Sequence, residues 1–190
     1  MDEATLRQAV EESLSLKRRF FDQNAGLLLE VAGRIAHSLR RGGRLLAFGN
    51  GGSAADAQHL AGELVGRFRR DRRALSAIAL TTDASVVTAV ANDLGFEQVF
   101  ARQIQAHGRP GDVAFGISTS GTSPNVVEGF LAAKAAGLVG IGLTGRGGGA
   151  VRGLVDLLID VPHQDTPRIQ EVHGMVIHLL CEAVEELCAA

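Results

Sequence analysis

The sequence predicts an α/β protein: a three-layer αβα sandwich, doubly wound around a five-stranded parallel sheet and preceded by N-terminal helices. Three observations predict it. Short apolar runs alternate with helical patterns along the chain. Those runs are apolar throughout, as in strands covered on both faces. Their carboxyl ends carry short polar loops, Gly49 to Ser53, Thr81 to Asp83, Ser118 to Ser123 and Thr144 to Gly149. In open parallel sheets the ligand sits beyond those ends.

The elements follow in order. Residues 4 to 22 form an amphipathic helical pattern, with Leu6, Val10, Leu14 and Phe21 between charged residues. A second helix is expected from about 25 to 41, ending at Arg41-Gly42-Gly43. Two helices are too many to cover one small sheet, so part of their apolar surface is expected to meet another subunit. Leu45 to Phe48 is the first strand, followed by a glycine turn and a helix that Ser53 is placed to cap. Ser76 to Leu80 is the second strand, and Asp83 to Asn92 and Glu97 to His107 are helices. Asp112 to Ile117 is the third strand and Val126 to Ala136 its helix. Val139 to Leu143 and Leu157 to Val161 are the last strands, with a short helix near 150 to 154 between them. Ile169 to Leu187 closes the chain as a helix.

Length and charge set bounds. A chain of 190 residues reads as one domain, residues 1–190, with a helical segment over 1–41 and the sheet and closing helix over 42–190. Nineteen basic and 21 acidic residues give a formal charge of −2, which offers no electrostatic reason to expect nucleic acid. The run Arg67 to Arg73 is the local exception and reads as a solvated loop or an oligomer contact. No signal peptide or membrane-length apolar run is visible. Cys181 and Cys188 lie in one helical pattern, roughly 10 Å apart in rise, and cannot bridge. Reduced cytoplasm is the natural compartment.

The chemistry gathers at two loops and one helix. Gly49-Asn50-Gly51-Gly52-Ser53-Ala54 fits the loose dinucleotide pattern G-x-G-x-x-G/A, with Asp83 as a possible ribose acid. The phosphate-loop NTPase pattern is excluded, because Gly-Lys-Ser/Thr is missing. Ser118-Thr119-Ser120-Gly121-Thr122-Ser123 then places five hydroxyls among six residues at another strand end. A dinucleotide domain has no need of this second cradle, whereas a sugar phosphate needs many short neutral donors. His59 and Glu63 lie four apart on one helix face and suit either a metal pair or a surface contact. Gln170 and His178 on the last helix are separated by a rise of roughly 12 Å. To meet at one ion, either that helix must begin after Gln170 or the two must come from different subunits. His37, His107, His163 and His173 read as structural.

Gly49-Asn50-Gly51-Gly52-Ser53, His59-x-x-x-Glu63, Asn92-Asp93, Ser118-Thr119-Ser120-Gly121-x-Ser123 and Arg168-Ile169-Gln170-Glu171, with His178 beyond, together resemble the bacterial phosphoheptose isomerases of the sugar isomerase (SIS) fold. The resemblance runs from about residue 25 to 188. It implies conversion of sedoheptulose 7-phosphate into D-glycero-D-manno-heptose 7-phosphate through a cis-enediol, the first step toward the ADP- or GDP-heptose of lipopolysaccharide core or surface glycans. It also implies a cytoplasmic homotetramer with sites near subunit interfaces and one Zn2+ per subunit. Carried over by position, the zinc ligands are His59, Glu63, Gln170 and His178. The substrate contacts are Asn50, Gly51, Gly52, Glu63, Asn92, Asp93, Ser118, Thr119, Ser120, Ser123 and Gln170, with Ser53 near the phosphate. Glu63 and His178 are the expected catalytic pair. A sister group of SIS adaptors, which bind the replication initiator protein, lacks the acid and the final histidine that this chain keeps. A sugar-phosphate-sensing SIS protein is a further alternative, though it would leave the quartet idle. Ala74 departs from the family, where proline often follows the arginine.

Overall fold

The computed structural model describes residues 1–189, so the domain expected over 1–190 extends one residue beyond it. Five parallel strands, β1 (Leu45–Gly49), β2 (Ala77–Ala79), β3 (Val113–Ser118), β4 (Val139–Gly145) and β5 (Leu157–Val161), form one sheet in the order β2-β1-β3-β4-β5. Six α-helices accompany them: α1 (Glu3–Arg40), α2 (Gly52–Val65), α3 (Ala84–Leu94), α4 (Val99–His107), α5 (Pro124–Ala135) and α6 (Thr166–Ala189). The doubly wound three-layer sandwich forms as predicted.

The N-terminal segment differs. In place of two helices there is one of 38 residues. The expected break at Gln23-Asn24, between the helices read over 4–22 and 25–41, contains no proline, and the Asn24 amide donates to the Phe20 carbonyl at 2.8 Å, so the polar side chain is satisfied without leaving the helix. One side of α1, including Leu16, Phe20, Leu28, Val31, Ile35 and Leu39, is buried. Leu6, Val10, Leu14, Phe21 and Leu29 remain exposed, a row left without cover on this chain.

The sheet has two unequal faces. Leu45, Ala47, Val113, Phe115, Ile117, Ile141, Leu143, Ile159 and Val161 pack under α1, α2 and α6. The other face carries Leu46, Phe48 and Ala114 under α4 and α5. It is thinned in the middle by Gly116, where a Cβ would stand 2.4 Å from the Phe130 ring of α5. That absence of a side chain lets α5 lie close against β3.

Register sets the site. Gly49 of β1 pairs with Ile117 of β3, and Ser118 pairs with Thr144 of β4. The loops after β1 and β3 therefore leave the sheet side by side. Because β2 lies on one flank of β1 and β3 on the other, this is where the winding reverses and ligands are expected.

Candidate active site

The first loop turns on Gly51, whose φ of 54° disfavours side chains, and this glycine caps α2 with no side-chain hydrogen bond. Ser53 is not the cap. It is the second residue of α2 and buried, packed beneath Gly49. The second loop is built alike: α5 has Ser123 at its cap position and again no side-chain cap bond. Two helix N-termini thus face the carboxyl end of the sheet from neighbouring strands with no side chain capping them, an arrangement that favours an anion. The Ser118 hydroxyl lies 3.3 Å from that of Ser123 and accepts from the Gly121 N–H at 3.1 Å. Ser120 accepts from the Thr122 N–H at 3.2 Å and from its hydroxyl at 3.0 Å.

Asn50 and Asn125 tie the loops together with two reciprocal amide hydrogen bonds of 2.8 Å. Asn125 joins the candidate site although sequence reasoning left it out; in the sequence only its place directly after Pro124 marked it, and its burial appears in the structure. A cavity of about 160 Å³ lies behind the first loop, lined by Gly49 to Gly51, Thr81, Phe96 and Phe100 among others. A larger hollow of about 300 Å³ lies between α1 and α6, but its wall of Phe21, Leu28, Leu29 and Leu179 offers little to a phosphate.

The helical part of the site lies along α2 and α6, which pack side by side. His59 Nε2 stands 3.2 Å from Glu63 Oε1 and 3.3 Å from His178 Nε2. The two rings meet edge to face with centroids 4.9 Å apart. His59, Glu63 and His178 thus converge within one chain. Gln170 does not join them. Its side chain lies against Gly52, so close that a Cβ there would stand 2.4 Å from Nε2. Because α6 begins at Thr166, Gln170 lies inside the helix, and its rise to His178 is about 12 Å. The possibility that the helix starts after Gln170 is removed. As the side chains stand, no group of three or more His, Cys, Asp or Glu among the described residues is arranged to hold a metal ion. Both close contacts of the cluster run through His59.

Asn92 and Asp93 are exposed at the end of α3, joined by a 2.7 Å hydrogen bond from the Asn92 amide. Thr119 is half-buried between Ser118 and Ser120. Burial holds the Asp56 carboxyl, one turn before His59, above the usual carboxylate range, with His59 partly opposing it. Burial pushes the Cys181 thiol up to about 12, assisted by the nearby Glu63 charge and opposed by Arg72. Both cysteines are free. His173, fully buried, bonds the Thr144 carbonyl through Nε2 at 3.0 Å while its Nδ1 has no partner.

The basic run after α2 is not simply solvated. Arg69 and Arg70 pair with Glu182 and Glu186, and the Arg72 side chain is buried against Glu185.

Residues 10–145 match the SIS domain family. A phosphoheptose isomerase from a Roseiflexus species is 53% identical over 93% of this chain and 89% of its own length. Another from Aquifex aeolicus is 50% identical over 96% and 95%. The chain belongs to the phosphoheptose isomerase family. Among solved structures, the phosphoheptose isomerase from Francisella tularensis superposes with a TM-score of 0.94 at 33% identity, covering 98% of this chain and 100% of its own. The enzyme GmhA from Neisseria gonorrhoeae superposes with a TM-score of 0.91 at 41% identity, covering 97% and 98%. Family membership makes the chain an isomerase of sugar phosphates, which accords with two hydroxyl- and glycine-rich loops at the switch point. No helix among the described residues is long and apolar enough to cross a membrane.

Proposed function

We propose that this isomerase converts sedoheptulose 7-phosphate into D-glycero-D-manno-heptose 7-phosphate, the first step toward the heptoses of lipopolysaccharide core or surface glycans. The observation that carries the reading is His59 standing between Glu63 and His178 and within hydrogen-bond distance of both, in a chain about half identical to phosphoheptose isomerases. Retention of Glu63 and His178 favours the enzyme over the adaptor and sensor alternatives.

Ketose-to-aldose conversion moves a proton between adjacent carbons and stabilises negative charge on the carbonyl oxygen. In this reading Glu63 takes the proton from C1 and returns it at C2 through a cis-enediol. His178 exchanges protons with the sugar oxygens. Asn50, Gly51, Gly52, Ser53, Ser118, Thr119, Ser120 and Ser123 hold the phosphate end, and the helix N-termini behind them supply neutral donors. Asn92 and Asp93 bind sugar hydroxyls.

His59, Glu63, His178 and Gln170 would hold a Zn2+ ion. Two imidazoles and a carboxylate are donors of the kind zinc takes, and from their present places beside His59 their donor atoms would turn inward on binding. When bound, the ion supplies Lewis acidity at the substrate carbonyl. The Glu63 carboxylate would help hold the ion as well as move the carbon proton, two roles that compete because a bound carboxylate is a weaker base. Gln170 lies too far along its own helix to join the three, so the fourth ligand comes from a neighbouring subunit. Gln170 also rests on Gly52. Whichever cluster it joins therefore lies beside the phosphate loops of the Gln170 subunit, and each site in a cytoplasmic homotetramer is composite. The uncovered row Leu6, Val10, Leu14 and Leu29 on α1 supports such assembly.

The test is a sedoheptulose 7-phosphate assay on mixed variants. Glu63→Gln and Gln170→Ala proteins are each inactive alone and, after subunit exchange, recover about a quarter of wild-type activity, the fraction of sites that random mixing leaves intact. Glu63→Gln with His178→Ala recovers none, because both belong to one chain's cluster. No recovery in the first mixture, with exchange demonstrated, refutes the composite site. An inactive wild type refutes the substrate.

A further inference from the structure

Residues 66–72 leave α2 and run back along α6 as a strap, held by one carboxylate. Glu185, 2% exposed, accepts the backbone N–H groups of Phe68 at 3.1 Å, Arg69 at 2.8 Å and Arg70 at 2.9 Å. The Arg72 side chain, 4% exposed, pairs with the same carboxylate through Nε at 3.0 Å, off the hydrogen-bond axis. Its terminal nitrogens donate to the carbonyls of Glu63 and Leu64, both at 2.9 Å. Those carbonyls end α2 and have no partner within the helix, so the guanidinium closes it.

Burial alone would raise the Glu185 pKa. The backbone donors of Arg69, Arg70 and Phe68 and the Arg72 charge outweigh it and hold the carboxyl below its usual value. A buried charge of this kind is costly unless fully satisfied. A loop that merely reversed the chain would have no need of one.

What the strap carries lies beside the reacting groups. The Phe68 ring tilts 35° against the His178 ring, with centroids 5.7 Å apart. The Arg69 guanidinium lies 5.6 Å from the Phe68 centroid. His178 is thus backed by Phe68 and faced by His59. Glu63, in turn, has its own carbonyl bound by Arg72. Both catalytic side chains lead back to Glu185, seven residues beyond His178 on α6.

We propose that Glu185 is a positioning residue of the isomerase, which through the strap sets Phe68 behind His178 and through Arg72 fixes the backbone of Glu63. The proposal rests on the roles given above to Glu63 and His178. Glu185→Gln keeps the side chain's size but replaces an acceptor oxygen with an NH2 facing N–H donors. Phe68→Leu removes the ring from a half-buried position without touching Glu185.

The experiment reads two quantities for both variants: steady-state kinetics on sedoheptulose 7-phosphate, and the His178 ring-proton NMR signals. Each variant loses about tenfold in kcat while KM stays within about twofold, the pattern of a displaced reacting group rather than weaker binding. Phe68→Tyr, which keeps the ring, restores kcat. In Glu185→Gln the His178 signals move in the same direction as in Phe68→Leu, because both changes take the ring away. A folded Glu185→Gln protein with kcat within about twofold of wild type, or with unmoved His178 signals, overturns the proposal. If Glu185→Gln does not fold, Phe68→Leu decides: unchanged kcat overturns the proposal, and a loss rescued by tyrosine supports it. An inactive wild type sinks the functional reading, and the proposal with it.

Discussion

The two ends of the α2–α6 pair are built from different materials. At the phosphate end the donors are backbone N–H groups and short hydroxyls, placed by a glycine turn and two helix starts. At the other end the proposed site uses long side chains, His59, Glu63 and His178, which are brought together only because two helices pack. The first end is fixed by local chain geometry. The second depends on residues more than a hundred positions apart in sequence and on the strap that backs them. The proposed cradle therefore depends first on backbone shape, and the proposed cluster first on which side chains are present and on the long-range contacts that place them.

The largest expected effect tests the cluster. Glu63→Gln should lower kcat at least about a hundredfold, the scale of a lost general base, while leaving substrate binding by calorimetry nearly intact. Near-normal turnover would remove Glu63 from proton transfer and erase the distinction between the ends. The next tests the cradle. Gly121 has φ 65°, and a Cβ there would stand 2.1 Å from the Gly148 carbonyl oxygen, an immovable backbone atom. Gly121→Ala should destabilise the protein by about 2–4 kcal/mol in urea unfolding and raise KM. Ser120→Ala in the same loop should change stability by less than about 1 kcal/mol, since Ser120 is half-exposed. Equal costs would mean that side chains, not backbone, shape the loop.

The smallest concerns the joint between the ends. His173 lies on α6 between Gln170 and His178 and anchors the helix to the end of β4. Burial lowers its pKa to about 4, with the Thr144 carbonyl partly opposing. The folded state therefore keeps the ring neutral while the unfolded chain protonates near the ordinary value. Stability contributed by the neutral ring is full above about pH 6.5 and falls as pH drops toward about 4, by up to about 3 kcal/mol, then levels off. Unfolding midpoints of wild type and His173→Gln at pH 7.5 and 5 check this. The wild type should lose more on acidification than the variant. Equal slopes would show that the ring does not stay neutral.

The same division explains what was legible in the sequence. Strand runs, glycine turns and hydroxyl clusters are local, so the sheet and both loops could be read directly from Leu45 to Ser53 and Val113 to Ser123. Boundaries set by longer contacts were not. The amphipathic patterns of 4–22 and 25–41 read as two helices, yet Phe20 and Leu28 on either side of the gap are buried in one core and α1 runs straight through. Ser53 has the identity of a cap, but the turn places Gly51 at that position and buries the serine. The arginine run reads as a solvated loop or an oligomer contact until its partners appear on a helix more than a hundred residues later. The sequence left open whether the last helix starts before or after Gln170; the start of α6 at Thr166 and the contact with Gly52 show that Gln170 and His178 lie at opposite ends of the α2–α6 pair.

Cys181 has a practical meaning of its own. Its sulfur is buried on α6 in the larger core, and burial pushes the thiol up to about 12, so alkylating reagents and peroxide find little thiolate there. Labelling of that sulfur therefore requires the core around α6 to open, and its rate is a clock for how often it does.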